Sequence, residues 1–366
     1  MNEDKSTRHR RLSRRLQVLH VLSLVCAVLA LALVSGRWPA HGPAWLDDVA
    51  ALGALALLLC GVSAPWSWAR EVALERRFGR EPIETRVWAR RHVWQWALTA
   101  GTALPLWLLF EAAQRVTPWL AVPVTWVAAV LGSLLLLLTS PWLVTWSPRV
   151  TPLADEALAG RLHALVGKAG LRMAGVHAWR DNRASEPNAA LIGAGPARRL
   201  LLSESLLETF AAEDIDVVVA HELGHHACGH LWLRLRMMWA VWLLALLSAQ
   251  AAALVYAWGQ GTLPGDARSL PVVVLAGAVV ALGSRPRWLR YSRAHEVEAD
   301  AFALQMTGRP DVLERILTRL GAHYKAAPEP SPFESAFFLT HPPVRDRVSY
   351  ARAWHASAVA HDEPLG

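Results

Sequence analysis

The feature that most limits how this chain can fold is a series of long apolar runs. Five are long enough to cross a hydrocarbon core about 30 Å thick: Leu16 to Val34, Val49 to Trp68, Val93 to Phe110, Ala121 to Val144 and Met237 to Trp258. A sixth run, Leu270 to Gly283, is shorter and fits either a buried helix or a thin crossing. With 54% hydrophobic and 18% charged residues, the composition is typical of a multi-pass membrane protein.

Arginine-rich segments predict which side of the membrane each loop occupies. The amino-terminal tail and the loop from Arg70 to Arg91 are rich in arginine, whereas the loops around Arg37, Arg115 and Arg268 hold one each. Positively charged loops stay on the cytoplasmic side, so we expect the tail and the Arg70 to Arg91 loop there, in a plasma (inner) membrane. If the sixth run crosses or returns as a hairpin, both polar parts of the chain are also cytoplasmic. The net charge of +7 then fits anionic phospholipid better than nucleic acid.

The predicted fold is mainly α, with multi-pass membrane helices and a small cytoplasmic α+β module. Residues 1–146 would form a basic tail and four transmembrane helices, and 231–284 two further membrane segments, the second one marginal. The parts at 147–230 and 285–366 would be cytoplasmic. The first of them contains strand candidates at Val176 to Trp179, Ala189 to Ile192 and Arg199 to Leu202. It also contains two predicted helices, one capped by Thr151-Pro152 and one capped by Ser203.

Residues 217–230, VVVAHELGHHACGH, carry the clearest chemical signal. His221 and His225 are four residues apart, so on a helix of about 3.6 residues per turn they project from one face. Glu222 follows the first histidine, where a carboxylate can act on a metal-bound water without taking a coordination position. The motif therefore predicts two zinc ligands and a general base. The alternative is a polar helix face with solvated histidines, which the preceding apolar run disfavours.

Two histidines leave a catalytic zinc site incomplete, because such sites take a third protein ligand and leave a position for water. The segment Ser292 to Phe302 has helical character and carries Glu296, Glu298 and Asp300. Glu296 and Asp300 share one helix face, and Glu298 points away from both. We expect one carboxylate of that face to bind the metal and the other to orient a histidine N–H. A solvated acidic helix face is the alternative.

These segments resemble those of the integral-membrane zinc metalloproteases, gluzincins that include the CAAX prenyl endoproteases and the HtpX-type proteases. The similar segments are HELGH at 221–225, the membrane run after it, SRAHEVEADAFA at 292–303 and THPPVRDR at 340–347. Together they cover most of the chain. Residues 188–201 resemble the family's active-site edge strand, and RRFG at 76–79 resembles a loop of the CAAX branch. The chain has fewer predicted spans than the CAAX enzymes.

The resemblance implies a role for each of several residues. One Zn²⁺ per chain would be held by His221, His225 and Glu296, with Asp300 and Arg347 as supporting partners. Catalysis would use Glu222 as the base and His341 at the reacting carbonyl. An extended substrate peptide would add to the strand at Asn188, Ala189 and Ala190. From the residues alone, His341 also fits a surface histidine in a proline-rich loop, and Asn188 also fits a turn.

Three functional hypotheses follow. The leading one is a membrane-embedded zinc-dependent endopeptidase that hydrolyses peptide bonds of membrane or membrane-associated proteins, in protein quality control. The second is a CAAX-type protease with the same chemistry and lipid-modified peptide substrates. The third is a catalytically silent metal-binding scaffold, which Glu222 disfavours because metal binding does not require it. The expected partners are a peptide or protein substrate and the lipid bilayer, with no nucleic acid; the oligomeric state is not predicted.

Overall fold

The computed structural model of the chain describes residues 5–38, 43–79, 82–180, 187–324 and 330–362. Within these ranges the α-helices are α1 (Lys5–Ser35), α2 (Ala44–Trp68), α3 (Leu74–Arg77), α4 (Thr85–Val116), α5 (Pro118–Thr145), α6 (Glu156–Lys168), α7 (Glu204–Thr209), α8 (Ala212–Ala227), α9 (His230–Gln260), α10 (Leu270–Thr307), α11 (Pro310–Tyr324), α12 (Pro332–Phe337) and α13 (Val344–Asp362). A π-helical turn, Ala69–Ala73, joins α2 to α3. The strands are β1 (Val150–Pro152), β2 (Gly175–Trp179), β3 (Ala189–Ile192) and β4 (Arg199–Ser203).

The chain divides into two compact units. The first consists of Met1–Leu131 and Trp239–Ser284, and the second of Gly132–Met238 and Arg285–Gly366. Apolar helices make up the first unit, and the second contains the sheet together with α6 to α8 and α11 to α13. Helices α5, α9 and α10 contribute residues to both units.

Six helices of the described part of the chain are long and apolar enough to cross a membrane: α1, α2 continued through α3, α4, α5, α9 and α10. The five long apolar runs lie within α1, α2, α4, α5 and α9, which confirms them as membrane-helix candidates. The marginal run, Leu270 to Gly283, is the first part of α10. That helix is 38 residues long and continues through Pro286 into the segment predicted to carry metal ligands.

A partly buried ion pair ties three segments of the first unit together. Arg115, near the end of α4, donates hydrogen bonds of 2.7 and 2.8 Å to the two carboxylate oxygens of Asp48 and one of 2.8 Å to the carbonyl of Gly265. Asp48 is completely buried, and a buried carboxylate without a partner costs several kcal/mol. Arg268 likewise pairs with Asp266. Two of the three arginines of the sparsely charged loops are therefore neutralised by carboxylates.

The second unit contains a four-stranded sheet with the order β1-β2-β4-β3, in which β2 and β4 are parallel and the outer pairs antiparallel. The three predicted strands are present. The cap predicted at Thr151-Pro152 is wrong: these residues lie in β1, and Asp155 caps α6 by accepting a 2.9 Å hydrogen bond from Leu158 N. Proline is tolerated there because β1 is an edge strand, where a missing N–H need not pair. The cap by Ser203 is confirmed on α7.

An apolar core between the sheet and the helices of the second unit fixes the orientation of α8. Val219 and Leu223 of α8 are completely buried together with Leu200 and Leu202 of β4 and Leu304 of α10. Each fully buried leucine contributes about 1.5–3 kcal/mol relative to an exposed one. Rotating α8 would expose this apolar face, so the core holds the histidine-bearing side of the helix in one direction.

Candidate metal centre

Helices α8 and α10 approach each other in near backbone contact at Gly224. A Cβ atom added there would lie 3.0 Å from Cα of Ala299 and 3.1 Å from Cβ of Phe302. These distances leave no room for a larger residue. The glycine of the HELGH motif thus lets α10 come close enough for Glu296 to face the paired histidines.

The two predicted histidine ligands and Glu296 converge on one point. Nε2 of His221 lies 3.4 Å from Oε2 of Glu296, and Nε2 of His225 lies 3.4 Å from Oε1 of Glu296. One ligand atom from each of the three residues lies within 4.8 Å of the others. Atoms about 2.1 Å from a common ion and at tetrahedral angles to it are about 3.4 Å apart. The spacing therefore fits a tetrahedral cation such as Zn²⁺.

The carboxylate of Glu296 lacks a full set of partners. Its side chain is 4% exposed, and Oε2 has no hydrogen-bond partner among the described residues. Nδ1 of His341 lies 2.7 Å from this oxygen, but the contact lacks hydrogen-bond geometry. A buried carboxylate is costly unless it is paired or binds a metal. A divalent cation between the three side chains would satisfy this oxygen.

Asp300 and Arg347 hold the first histidine in place. Nδ1 of His221 donates to Oδ1 of Asp300 at 2.9 Å, which turns Nε2 toward Glu296. Arg347 donates to both oxygens of Asp300, at 2.6 and 2.7 Å. Burial lowers the pKa of His221, but the hydrogen bond with Asp300 and the nearby carboxylate of Glu296 outweigh burial and raise that pKa to about 9. The carboxylates thus favour a positive charge at this position, which a metal cation can supply.

His225, the second histidine of the pair, is held by His230, a residue that was not predicted to belong to the site. Nε2 of His230 contacts Oε2 of Glu298 at 2.9 Å, and its Nδ1 contacts Nδ1 of His225 at 3.0 Å. Because a carboxylate only accepts, His230 donates through Nε2 and accepts from His225 through Nδ1. His295 stacks on His230, with ring centroids 4.1 Å apart.

The chain reversal between α8 and α9 brings His230 to His225. Gly229 has a φ of 72°, in the left-handed region, and separates the end of α8 from the start of α9. A glycine just after a helix is a recognisable end signal. If Gly229 is taken as a helix end, the sequence predicts a chain reversal that brings His230 back toward His221 and His225.

Glu222 lies beside the convergence point, in a cavity of about 530 Å³. His221, Glu296 and His341 also line this cavity, and its walls include the apolar side chains of Leu206, Val217, Leu313, Ile316 and Leu317. Burial raises the pKa of Glu222 above that of a free glutamate, an effect that the neighbouring histidines oppose. A base with a raised pKa is better matched to proton transfer near neutral pH.

Strand β3 forms one edge of the sheet next to this cavity. The backbone of Asn188 faces β4, because its N–H donates to Oγ of Ser203 at 2.8 Å and its carbonyl accepts from Ser203 N at 2.9 Å. Backbone groups alternate along an antiparallel strand, so those of Ala189 face the open edge and those of Ala190 face β4. Asn188 and Ala189 line the cavity, and the side chain of Asn188 is exposed. Ala190 is not among the lining residues.

His226 links β3 to α8. Its Nε2 lies 2.8 Å from the carbonyl oxygen of Leu191, and Nε of Arg198 donates to its Nδ1 at 3.2 Å. Burial lowers the pKa of His226 to about 4, so the ring is neutral at physiological pH and donates through Nε2 while accepting through Nδ1. His226 therefore aligns the open edge of β3 with the helix that bears His221 and His225.

Known proteins resemble this chain in both sequence and fold. A protease HtpX homolog of Janthinobacterium sp. (strain Marseille) is 26% identical over 274 residues, covering 69% of this chain and 88% of that protein. A CAAX prenyl protease 1 homolog of Arabidopsis thaliana is 28% identical over 248 residues, covering 64% of this chain and 56% of that protein. The crystal structure of Ste24p from S. mikatae matches with a TM-score of 0.78 at 16% identity, covering 95% of this chain and 86% of that one.

The family assignment rests on a match that extends from the end of β1 into α13. Residues 152–355 match the model of the family described as Peptidase family M48. This range includes HELGH, the α10 carboxylates and the loop with His341. Since the match covers more than half of the chain, the chain is a member of peptidase family M48, with apolar helices suited to a membrane.

Proposed function

We propose that this M48 peptidase is a zinc-dependent endopeptidase that cleaves membrane or membrane-associated proteins. The observation that carries the proposal is the convergence of His221, His225 and Glu296 at tetrahedral spacing beside Glu222. A silent metal-binding scaffold would not need a half-buried carboxylate at position 222 that lines the same cavity as His221 and Glu296.

The side chains divide the reaction between them. Zinc held by the three ligands would polarise the scissile carbonyl and make a water acidic. A carboxylate oxygen of Glu222 takes a proton from the attacking water and returns it to the nitrogen of the leaving amine. His341, whose side chain is 61% exposed, lies at the cavity wall and donates to the oxygen on which negative charge develops. Arg347 keeps Asp300 oriented toward His221.

The substrate binds as an extended strand along β3. The N–H and carbonyl of Ala189 face the open edge and offer hydrogen bonds that do not depend on substrate sequence. The exposed side chain of Asn188 contacts the added strand. The apolar walls of the cavity accept a substrate side chain.

The active site lies on the cytoplasmic side of the inner membrane in this proposal. The arginine-rich tail and the Arg70 to Arg91 loop support this orientation. The pairing of Arg115 with Asp48 and of Arg268 with Asp266 increases the charge difference between the two sides.

Metal removal tests the proposal. The full chain in inverted inner-membrane vesicles, where the cytoplasmic face is outside, is expected to cleave added casein, to lose activity with a chelator and to regain it with zinc. Right-side-out vesicles are expected to be inactive until permeabilised, which checks the sidedness. Cleavage that survives complete chelation would rule out metal-dependent hydrolysis, and cleavage by intact right-side-out vesicles would place the site on the other face.

A CAAX-type activity is a second candidate, supported by the similarity to the Arabidopsis thaliana CAAX prenyl protease 1 homolog. The same vesicles separate the two candidates when a farnesylated peptide and its unmodified form are compared. A large preference for the farnesylated peptide favours the CAAX-type activity, and equal rates favour the general endopeptidase.

His230 is expected to act on the metal site through His225. The change His230→Ala removes the acceptor for Nδ1–H of His225, and losses of such supporting partners typically reduce metal affinity by about 10- to 100-fold. Zinc affinity is measured by competition with a chromophoric chelator. Glu298→Gln is expected to cause a smaller loss in the same direction, because an amide still accepts from His230. Unchanged zinc affinity in His230→Ala would show that the histidine only packs.

A further inference from the structure

The loop that carries His341 has no secondary structure of its own. This HPP loop, residues 338–343, lies between α12 and α13 and belongs to neither a helix nor a strand. Two of its six residues are prolines, which cannot donate a backbone hydrogen bond. The His341 side chain is largely exposed, so packing does little to hold its ring. An imidazole that must meet a developing charge at about 3 Å therefore needs the loop to be fixed by contacts from elsewhere.

Two arginines of α10 bind the backbone at the start of the HPP loop. Nη1 of Arg293 donates to the carbonyl oxygens of Ser335 and Leu339, at 2.5 and 2.8 Å. Nε of Arg285 donates to the carbonyl oxygen of Phe337 at 2.7 Å. Ser335 and Phe337 belong to the last turn of α12, where helix carbonyls need outside partners and cations are favoured. Arg293 extends this support beyond the helix end, into the HPP loop itself.

The other end of the HPP loop is bound to the same helix. Arg347, near the start of α13, donates to both carboxylate oxygens of Asp300, and its backbone N–H donates to the carbonyl oxygen of Pro343 at 3.2 Å. Along α10, Glu296 lies between Arg293 and Asp300. One helix thus carries a predicted metal ligand and, on either side of it, the two attachment points of the loop.

We propose that Arg293 is a positioning residue for the hydrolysis, which holds the HPP loop on α10 so that the ring of His341 stays beside Glu296. The anchoring maintains the 2.7 Å approach of Nδ1 of His341 to Oε2 of Glu296. A guanidinium suits this role because it presents several donors in a fixed plane and stays charged at any working pH. Arg293 does not line the cavity that contains Glu222, so it acts through His341. The inference rests on the proposed function, in which His341 donates to the reacting carbonyl oxygen.

A double-variant comparison tests whether Arg293 acts through His341. With the full chain in nanodiscs, kcat for fluorescent casein is measured for His341→Ala, for Arg293→Ala and for both changes together. His341→Ala is expected to lower kcat about 100-fold, as the loss of one donor to a developing oxyanion does. Arg293→Ala is expected to lower it about tenfold or more, since a misplacement of about 1 Å costs up to about 100-fold. The double variant is expected to stay within about twofold of His341→Ala, because residues that act together are not additive.

Backbone hydrogen exchange gives a readout that does not depend on activity. Arg293→Ala is expected to speed the exchange of the amides of residues 338–341 about tenfold or more, while zinc content stays at one ion per chain. Arg293→Lys keeps a charged donor, so it is expected to recover part of the lost kcat in the chain with His341 and none in combination with His341→Ala. Arg287→Ala is the matched control, since Arg287 is an exposed arginine of the same helix. Its kcat and exchange are expected to stay within about twofold of those of the unchanged chain.

Each possible failure has its own signature. Losses that multiply in the double variant would mean that Arg293 acts apart from His341, and unchanged kcat or exchange in Arg293→Ala would remove its anchoring role. Loss of zinc from both Arg293 variants would assign Arg293 to the metal centre instead of the loop. Full activity of His341→Ala, or no hydrolysis by the unchanged chain, would overturn the proposed function, and both are judged without any Arg293 variant.

Discussion

Replacing Glu222 by glutamine is expected to slow peptide hydrolysis by about 10²- to 10⁴-fold, the usual contribution of a positioned general base. The glutamine has nearly the same shape and cannot take up the proton of the attacking water. His221, His225 and Glu296 are unchanged in this variant, so zinc content is expected to remain one ion per chain. The measurements are kcat on a peptide substrate and zinc by elemental analysis of the same sample.

The paired measurement separates catalysis from metal binding. Hydrolysis at the original rate with glutamine at position 222 would remove Glu222 as the base. Loss of both zinc and activity would mean that the carboxylate contributes to metal binding, which its position in the cavity beside the ligands does not predict. Only loss of rate with retained zinc supports the division of roles proposed here.

The membrane helices could be predicted from the sequence because their length is set by the bilayer and hardly by tertiary contacts. The residues at which these helices begin and end could not be predicted. The run Val93 to Phe110 lies inside α4, which extends from Thr85 to Val116, since helical backbone hydrogen bonding continues beyond the apolar residues. Strand β1 was missed because three residues that include a proline give no alternating pattern.

The site residues could be predicted where the interval between them lies within one helix. The four-residue interval between His221 and His225 fixes their common face, and the same holds for Glu296 and Asp300. Which of the two carboxylates faces the histidines depends on how α8 packs on α10 at Gly224, a contact between distant parts of the chain. The resemblance to known proteases implied that Glu296 is the ligand and Asp300 its supporting partner. The distances place Glu296 opposite the Nε2 atoms and Asp300 behind His221.

The partners of His225 could not be predicted from helix periodicity. Glu298 points away from Glu296 and Asp300 on α10, as expected, and is linked to the site through His230. That route exists because the chain reverses at Gly229 and begins a new helix. Periodicity applies within a continuous helix and fails at such a reversal.

Replacing Glu296 by glutamine is expected to reduce zinc affinity by more than about 100-fold, because losses of merely supporting partners already reach that value. The amide keeps the shape but carries no negative charge to oppose the cation. Zinc-dependent stabilisation gives a second measurement: at a free zinc concentration about 100 times the dissociation constant, the unchanged protein gains about 2.7 kcal/mol. The variant is expected to show almost no increase in its thermal unfolding midpoint at that concentration.

Glu298→Gln is the matched control for this change, since it alters the same residue type two positions away on the same helix. Glu298 is linked to the candidate metal centre through His230, and its side chain is 56% exposed, so zinc affinity is expected to fall by about tenfold or less. The two variants together test the geometry and not merely the charge of α10. Equal losses would mean that the helix attracts zinc by its overall negative charge, and an unchanged affinity in Glu296→Gln would exclude Glu296 as a ligand. A large loss at position 296 with a small one at position 298 requires a carboxylate oxygen facing the two Nε2 atoms, as the 3.4 Å distances indicate.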